Sequence, residues 1–248
     1  MININDQKDY GDEHQQMETP LVSVIIPVKN GELFLSAAIK SVLQQDYKPF
    51  EIIVVDGQSV DNTALIAKSY TEVRYILQSG GSGISQARNI GIVESKGELI
   101  AFISHDDIWL PNKLSAQVAY IIHHQKIQYT VTRVKFFLEP GCSIPPGFRL
   151  ELLDGDYVGK MSETLIARRA LFNLIGGFDP EITYGEDMDW FARAKDKNIP
   201  MAVIPEVLVY KRVCDSNVSY RPSDAREINR SILKLIKNSL DRQRNQGK

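Results

Sequence analysis

Val22-Ser23-Val24-Ile25-Ile26-Pro27-Val28 and, one helical stretch later, Glu51-Ile52-Ile53-Val54-Val55-Asp56-Gly57 decide the fold. Each is a near-continuous run of apolar, mostly β-branched residues, the pattern of a strand covered on both faces. Between them, Glu32 to Gln45 carries Leu35, Ala38, Ile39, Val42 and Leu43 at helical spacing. The alternation continues with a helix near Asn62 to Ser69 and a strand at Val73 to Leu77. A glycine-rich turn at Gly80-Gly81-Ser82-Gly83, a helix over Ile84 to Glu94 and a strand at Glu98 to Ile103 follow. Strand and helix in this rhythm predict right-handed crossovers and an α/β fold, a Rossmann-like, mostly parallel or mixed sheet flanked by helices on both faces. Ligands on such sheets bind beyond the carboxyl ends of the strands. Two of those ends carry acids, Asp56 after Val55 and Asp106-Asp107 after Ile103, which puts them on one rim.

Downstream, Pro111 to His123 reads as a helix and Gln128 to Leu138 as an extended segment of the same sheet. Glu139 to Gly147, with three prolines and two glycines, reads as a loop. Helical pieces at Arg169 to Leu174 and Asp187 to Lys197 frame a further acidic turn, Tyr184-Gly185-Glu186-Asp187. Residues 1–19 are acidic and nearly devoid of apolar side chains, the composition of a disordered tail. Residues 221–248 hold Ile228, Ile232, Leu235, Ile236 and Leu240 at helical spacing, with Arg226, Arg230, Lys234, Lys237, Arg242, Arg244 and Lys248 outnumbering the acids. This basic amphipathic helix is expected to dock on the domain, with a peripheral membrane or partner contact as the other reading.

The 248 residues are 43% hydrophobic and 24% charged, an ordinary globular composition. A net charge of −2 argues against a broad nucleic-acid-binding surface. Cys142 and Cys214 are too few for a disulfide framework, lie far apart in sequence and read as buried free thiols of a reducing compartment. No apolar run approaches the roughly 20 residues of a membrane span, so the expected location is cytoplasmic, with the inner membrane surface as the place of any peripheral contact.

Acids grouped beyond parallel strands suit a hard divalent cation, Mg2+ or Mn2+, shared with substrate phosphates. The turn Ser104-His105-Asp106-Asp107 places an imidazole and two carboxylates behind an apolar strand. The competing reading is that Asp107 or Ser104 caps the helix that Pro111 begins. Gly81-Ser82-Gly83 lacks the third glycine of a dinucleotide fingerprint, since Gln86 stands there. His14, His123 and His124 have no partner spacing that marks a site.

Taken in order, several motifs resemble the family 2 inverting glycosyltransferases of GT-A fold. They are Ser23 to Gly31, Ser41-Val42-Leu43-Gln44-Gln45, Glu51 to Thr63, Ala87-Arg88-Asn89-Ile90-Gly91 and Gly97 to Phe102. Asp106-Asp107-Ile108-Trp109-Leu110-Pro111, Gly176-Gly177-Phe178-Asp179 and Gly185-Glu186-Asp187 complete the series. The resemblance covers about residues 21–212. It implies one catalytic domain over 20–220, with a nucleotide-sugar half at 21–112 and an acceptor half at 113–220. It also implies hexosyl or N-acetylhexosaminyl transfer from a nucleoside-diphosphate sugar, UDP-sugar above all, to a hydroxyl of a glycan or lipid-linked glycan.

By this resemblance Asp106 binds the cation, and Pro27, Asn30, Asp56, Arg88, Ser104, His105 and Asp107 surround the donor. Asp187 is the base, with Glu186 orienting acceptor or base. The alternative for Arg88 is a structural pair with a nearby acid; Asp189 and Trp190 read as helix surface and packing, with a place in the acceptor groove as the other reading for Trp190. The sequence departs from the family pattern at Gly57, where relatives carry a second acid, and at Ser104, where relatives carry the first acid of an Asp-x-Asp turn. A third departure is Tyr210-Lys211-Arg212-Val213-Cys214, where many relatives place a histidine; Lys211 or Arg212 is then the source of positive charge. These departures leave open a second reading, a GT-A scaffold that binds nucleotide-sugar without turnover.

Overall fold

The computed structural model describes residues 19–81, 83–215 and 225–246. The acidic tail through residue 18 and the segment 216–224 lie outside the described residues. The first half is the expected parallel unit: β1 (Val22–Val28), α1 (Leu35–Leu43), β2 (Phe50–Asp56), α2 (Thr63–Lys68), β3 (Val73–Leu77), α3 (Ile84–Glu94) and β4 (Leu99–Phe102). β1 pairs in parallel with β2 and β4, and β2 with β3, so that Val28 lies opposite Asp56 and Asp56 opposite Leu77. Every residue of β1 is buried, as its unbroken apolar run requires.

The second half extends the sheet: β5 (Ile108–Trp109), α4 (Lys113–His123), β6 (Tyr129–Leu138), β7 (Asp156–Val158), β8 (Ile166–Arg168), α5 (Arg169–Ile175), α6 (Glu186–Asp196), β9 (Met201–Val213) and α7 (Ala225–Gln246). The strand order is β3-β2-β1-β4-β8-β6-β9-β5, with β7 on β6. β8 runs antiparallel to β4 and β6, while β9 runs parallel to β6 and antiparallel to β5. One core, around Val24, Ile26, Ile39, Val118 and Val134, lies on the α1 and α4 face of the sheet. The other, around Ile25, Phe102, Tyr129 and Trp190, lies on the α3, α5 and α6 face.

The cysteine expectation is corrected here. Cys142 and Cys214 form a disulfide, with Cα atoms 5.1 Å apart. Their separation of 72 residues conceals their neighbourhood. Leu138 pairs with Val213, so the ends of β6 and β9 emerge side by side and bring the two thiols together.

Candidate active site

The carboxyl ends of β1, β2 and β4 build the rim on which the sequence places the expected donor residues. The Val28 carbonyl accepts the Gly57 N–H at 2.7 Å, joining the ends of β1 and β2. Asn30, at φ 53°, accepts the Val60 N–H through Oδ1 at 3.0 Å and donates its own N–H to Ser59 Oγ at 2.8 Å. Asparagine tolerates that left-handed backbone. Gly31 is the only residue type that fits next, since a Cβ there would strike Val28 and the His105 ring. The His105 ring therefore lies against the loop that follows β1. Pro27 sits within β1 opposite Val55. Asp56 is buried, accepting the Ser59 N–H (2.8 Å), Ser59 Oγ (2.6 Å) and the Tyr75 hydroxyl (2.8 Å). Burial and this carboxylate push the Tyr75 phenol up to about 12.

Beyond β4, neither Ser104 nor Asp107 caps the next helix. Ser104 Oγ donates to Glu163 at 2.5 Å. Asp107 is buried and accepts from Lys211 Nζ at 2.9 Å and from the Arg212 N–H at 3.0 Å. Asp106 is half-buried, and its carbonyl accepts from Arg212 Nε at 2.8 Å. The Arg212 guanidinium also pairs with Glu139 and stacks between Phe34 and Phe137. Lys211 thus supplies the positive charge of this rim, and Asp107 and Glu163 hold its ammonium well above the ordinary lysine range against the opposing effect of burial.

Glu163, which the sequence reading missed, is the hinge of the site. It is buried in a short 3-10 turn (Ser162–Thr164) ahead of β8 and lies 3.3 Å from Lys211 and 3.9 Å from Arg88. Burial pushes its carboxyl up, but Lys211, Arg88 and the Ser104 hydrogen bond prevail and hold it at about 2. Arg88, on α3, is fully buried and faces acids: it donates to Glu186 at 2.5 Å and to Asp187 at 3.1 Å, the structural pairing set beside its donor role. Asp107, Lys211, Glu163, Arg88 and Asp187 form one line of alternating charge from the donor rim to the start of α6.

Gly185, at φ 81°, turns the chain into α6, whose first turn holds Glu186, Asp187 and Asp189 at the positive end of the helix dipole. Asp187 is half-buried and accepts the Ser162 N–H at 3.1 Å. Burial pushes its carboxyl up to about 7; Arg88 opposes this, and Glu186 and Glu163 reinforce it. Among the described residues, Arg88 Nε, Ser162 Oγ and the side-chain amide of Gln78, whose backbone N–H donates to the Asp56 carbonyl at 2.8 Å, are buried without a hydrogen-bond partner. Asp189 is buried rather than on the surface, paired with Arg193 (2.7 Å) and with Arg242 of α7 (3.1 Å). Trp190 is wholly buried among Tyr129, Phe172 and Phe191, which removes it from any groove.

This sheet order and an acidic rim beyond its parallel strands define a glycosyltransferase of GT-A fold. The chain belongs to glycosyl transferase family 2, whose family model matches residues 23–161. An uncharacterized glycosyltransferase of Rickettsia typhi is 33% identical over 227 residues, 83% of this chain and 68% of the relative. The Escherichia coli UDP-Glc:alpha-D-GlcNAc-diphosphoundecaprenol beta-1,3-glucosyltransferase WfgD is 38% identical over 108 residues, 43% of each chain. The chain spans 59% of a Rickettsia prowazekii relative and 17% of one from Rickettsia felis. S. aureus TarS 1-349 in complex with UDP superposes with a TM-score of 0.64 at 23% identity, over 89% of this chain and 68% of TarS 1-349. The mannosyltransferase PcManGT of Pyrobaculum calidifontis, in complex with GDP-Man and Mn2+, gives 0.64 at 16% identity, over 90% and 64%.

Proposed function

We propose that the chain moves a sugar from a UDP-sugar to a hydroxyl of a lipid-linked glycan by a single inverting displacement, with Asp187 as the base. The observation that carries this reading is the Asp187 carboxyl, poised near neutrality at the head of α6 and joined through Arg88, Glu163 and Lys211 to the donor rim. A base of that strength takes the acceptor proton as the new glycosidic bond forms, while the diphosphate departs from the opposite face of the sugar. Arg88 and the Ser162 N–H orient the carboxylate. Lys211 places fixed positive charge beside the rim where the leaving group gathers negative charge.

The donor set fits a hard cation only as one shared with the diphosphate. Asp106, half-buried in the turn beyond β4, is the carboxylate that matches the family's cation ligand. One carboxylate completed by phosphates and water is a normal Mg2+ or Mn2+ environment. Held by Asp106, such an ion would supply further charge to the departing diphosphate. Asn30, His105 and Pro27 form the wall on which the nucleoside rests.

WfgD's named donor and acceptor, UDP-Glc and GlcNAc-diphosphoundecaprenol, are the first pair to assay. Asp187→Asn is expected to lower transfer by about 10²–10⁴-fold while leaving the UDP-induced thermal shift intact. Wild-type transfer should rise with pH through about 7, as Asp187 ionises, and then level off. Undiminished turnover by Asp187→Asn would remove it as the base, and an α-linked product from an α-linked donor would remove inversion.

A further inference from the structure

We propose that the outward face of α7 is a docking surface for an anionic lipid bilayer. α7 packs on α6 through one side only. Ser231 Oγ accepts the Thr183 and Tyr184 N–H groups at 3.2 and 3.3 Å, Lys234 reaches Asp179 at 3.0 Å, and Arg242 reaches Asp196 at 2.6 Å. The opposite side carries Ile232 (46% exposed), Leu233 (67%), Ile236 (52%) and Leu240 (48%), which share one stripe at helical spacing. Directly beside it run Arg230, Lys237 and Arg244, all exposed and spaced every seven residues, so that three cations line one edge of the apolar stripe. Asp241 is the acid on that edge, 3.9 Å from Arg244 and itself exposed.

Two considerations select a bilayer over another protein chain. From Ile232 to Leu240 the stripe is about 12 Å long and no wider than the roughly 10 Å helix, on the order of 120 Å² and well short of the roughly 800 Å² per partner that a stable protein interface buries. A narrow apolar ridge with a row of cations along its side instead matches the boundary between acyl chains and anionic headgroups. Lys234 and Arg242 face the protein, so among the described side chains of α7 the cations offered outward are the three of the row. Because Ser231 and Leu235 meet the segment leading into α6, the bound helix would hold the Asp187 end of the site close to the bilayer.

The test is sedimentation of the full chain with vesicles of phosphatidylcholine alone and of phosphatidylcholine mixed with phosphatidylglycerol. Binding should be about tenfold or more tighter to the anionic vesicles and weaken as salt is raised. The double variants I236S/L240S and K237E/R244E should each lose about tenfold or more of that binding, with unchanged helicity and an unchanged thermal shift by UDP. None of these readouts involves turnover, so a failure of the sugar-transfer reading and a failure of this one are seen separately. Equal binding to neutral vesicles, or anionic binding that survives both double variants, overturns the proposal. So does a wild-type dimer that I236S/L240S converts to a monomer, because a second copy then covers the stripe.

Discussion

Glu163 touches Ser104, Lys211 and Arg88 at once, and a carboxylate so enclosed stabilises the fold only while each cation keeps its partner. Glu163→Gln would leave the buried Arg88 and the half-buried Lys211 with one negative charge fewer. It is expected to lower the unfolding free energy by about 3–5 kcal/mol in urea titration; a loss below about 1 kcal/mol would mean that Asp107, Glu186 and Asp187 suffice. Nothing around Glu163 in the sequence announces this role. It follows Met161-Ser162 in a stretch without periodicity, and its partners come from positions 88, 104 and 211. Asp56, Asp106-Asp107 and Glu186-Asp187 were legible because each stands at the end of an apolar run or the start of a helix, where local pattern and chemistry coincide. The pairing of Arg88 with Glu186 and Asp187 spans 98 and 99 residues and is visible only in three dimensions.

At the scale of elements, the parallel unit was legible nearly residue for residue. β3 and α3 begin and end where the short apolar run and the glycine turn place them, and β1 and β2, buried on both faces, leave a near-continuous apolar signature. β9 was not foreseen. Its 13 residues include Pro205, and the register against β6 jumps from Ile204 to Val207, so a bulge interrupts the pattern that would have marked a strand. The packing of α3 on β1 depends on Gly91, where a Cβ would collide with the Ile25 side chain. Gly91→Ala is expected to cost about 1–3 kcal/mol by pushing the helix off the sheet, read as a lowered thermal midpoint. An unchanged midpoint would show that Ile25 can re-pack without loss.

For the molecule as a whole, Glu163 and Asp187 give stability opposite dependences on pH. Glu163 titrates near 2 when folded and near 4.5 otherwise, so its contribution is present above about 4.5 and lost as pH falls toward 2. Asp187 titrates near 7 when folded and near 3.8 otherwise; the folded form holds the proton more tightly, and that contribution fades as pH rises from about 4 to 7. Thermal midpoints of the wild type should therefore fall between pH 4 and 7 more steeply than those of Asp187→Asn, and superimposable curves would contradict the raised carboxyl. The place of β9 in the sheet has a consequence for biosynthesis. Lys211 arrives more than 100 residues after Asp107, the acid it balances at the rim. On the ribosome, β1 to β4 emerge first and can begin to assemble, yet their rim stays a cluster of uncompensated negative charge. Pairing of the rim's acids is thus a late event in the life of the nascent chain, timed by β9 rather than by the parallel unit that shapes the cleft.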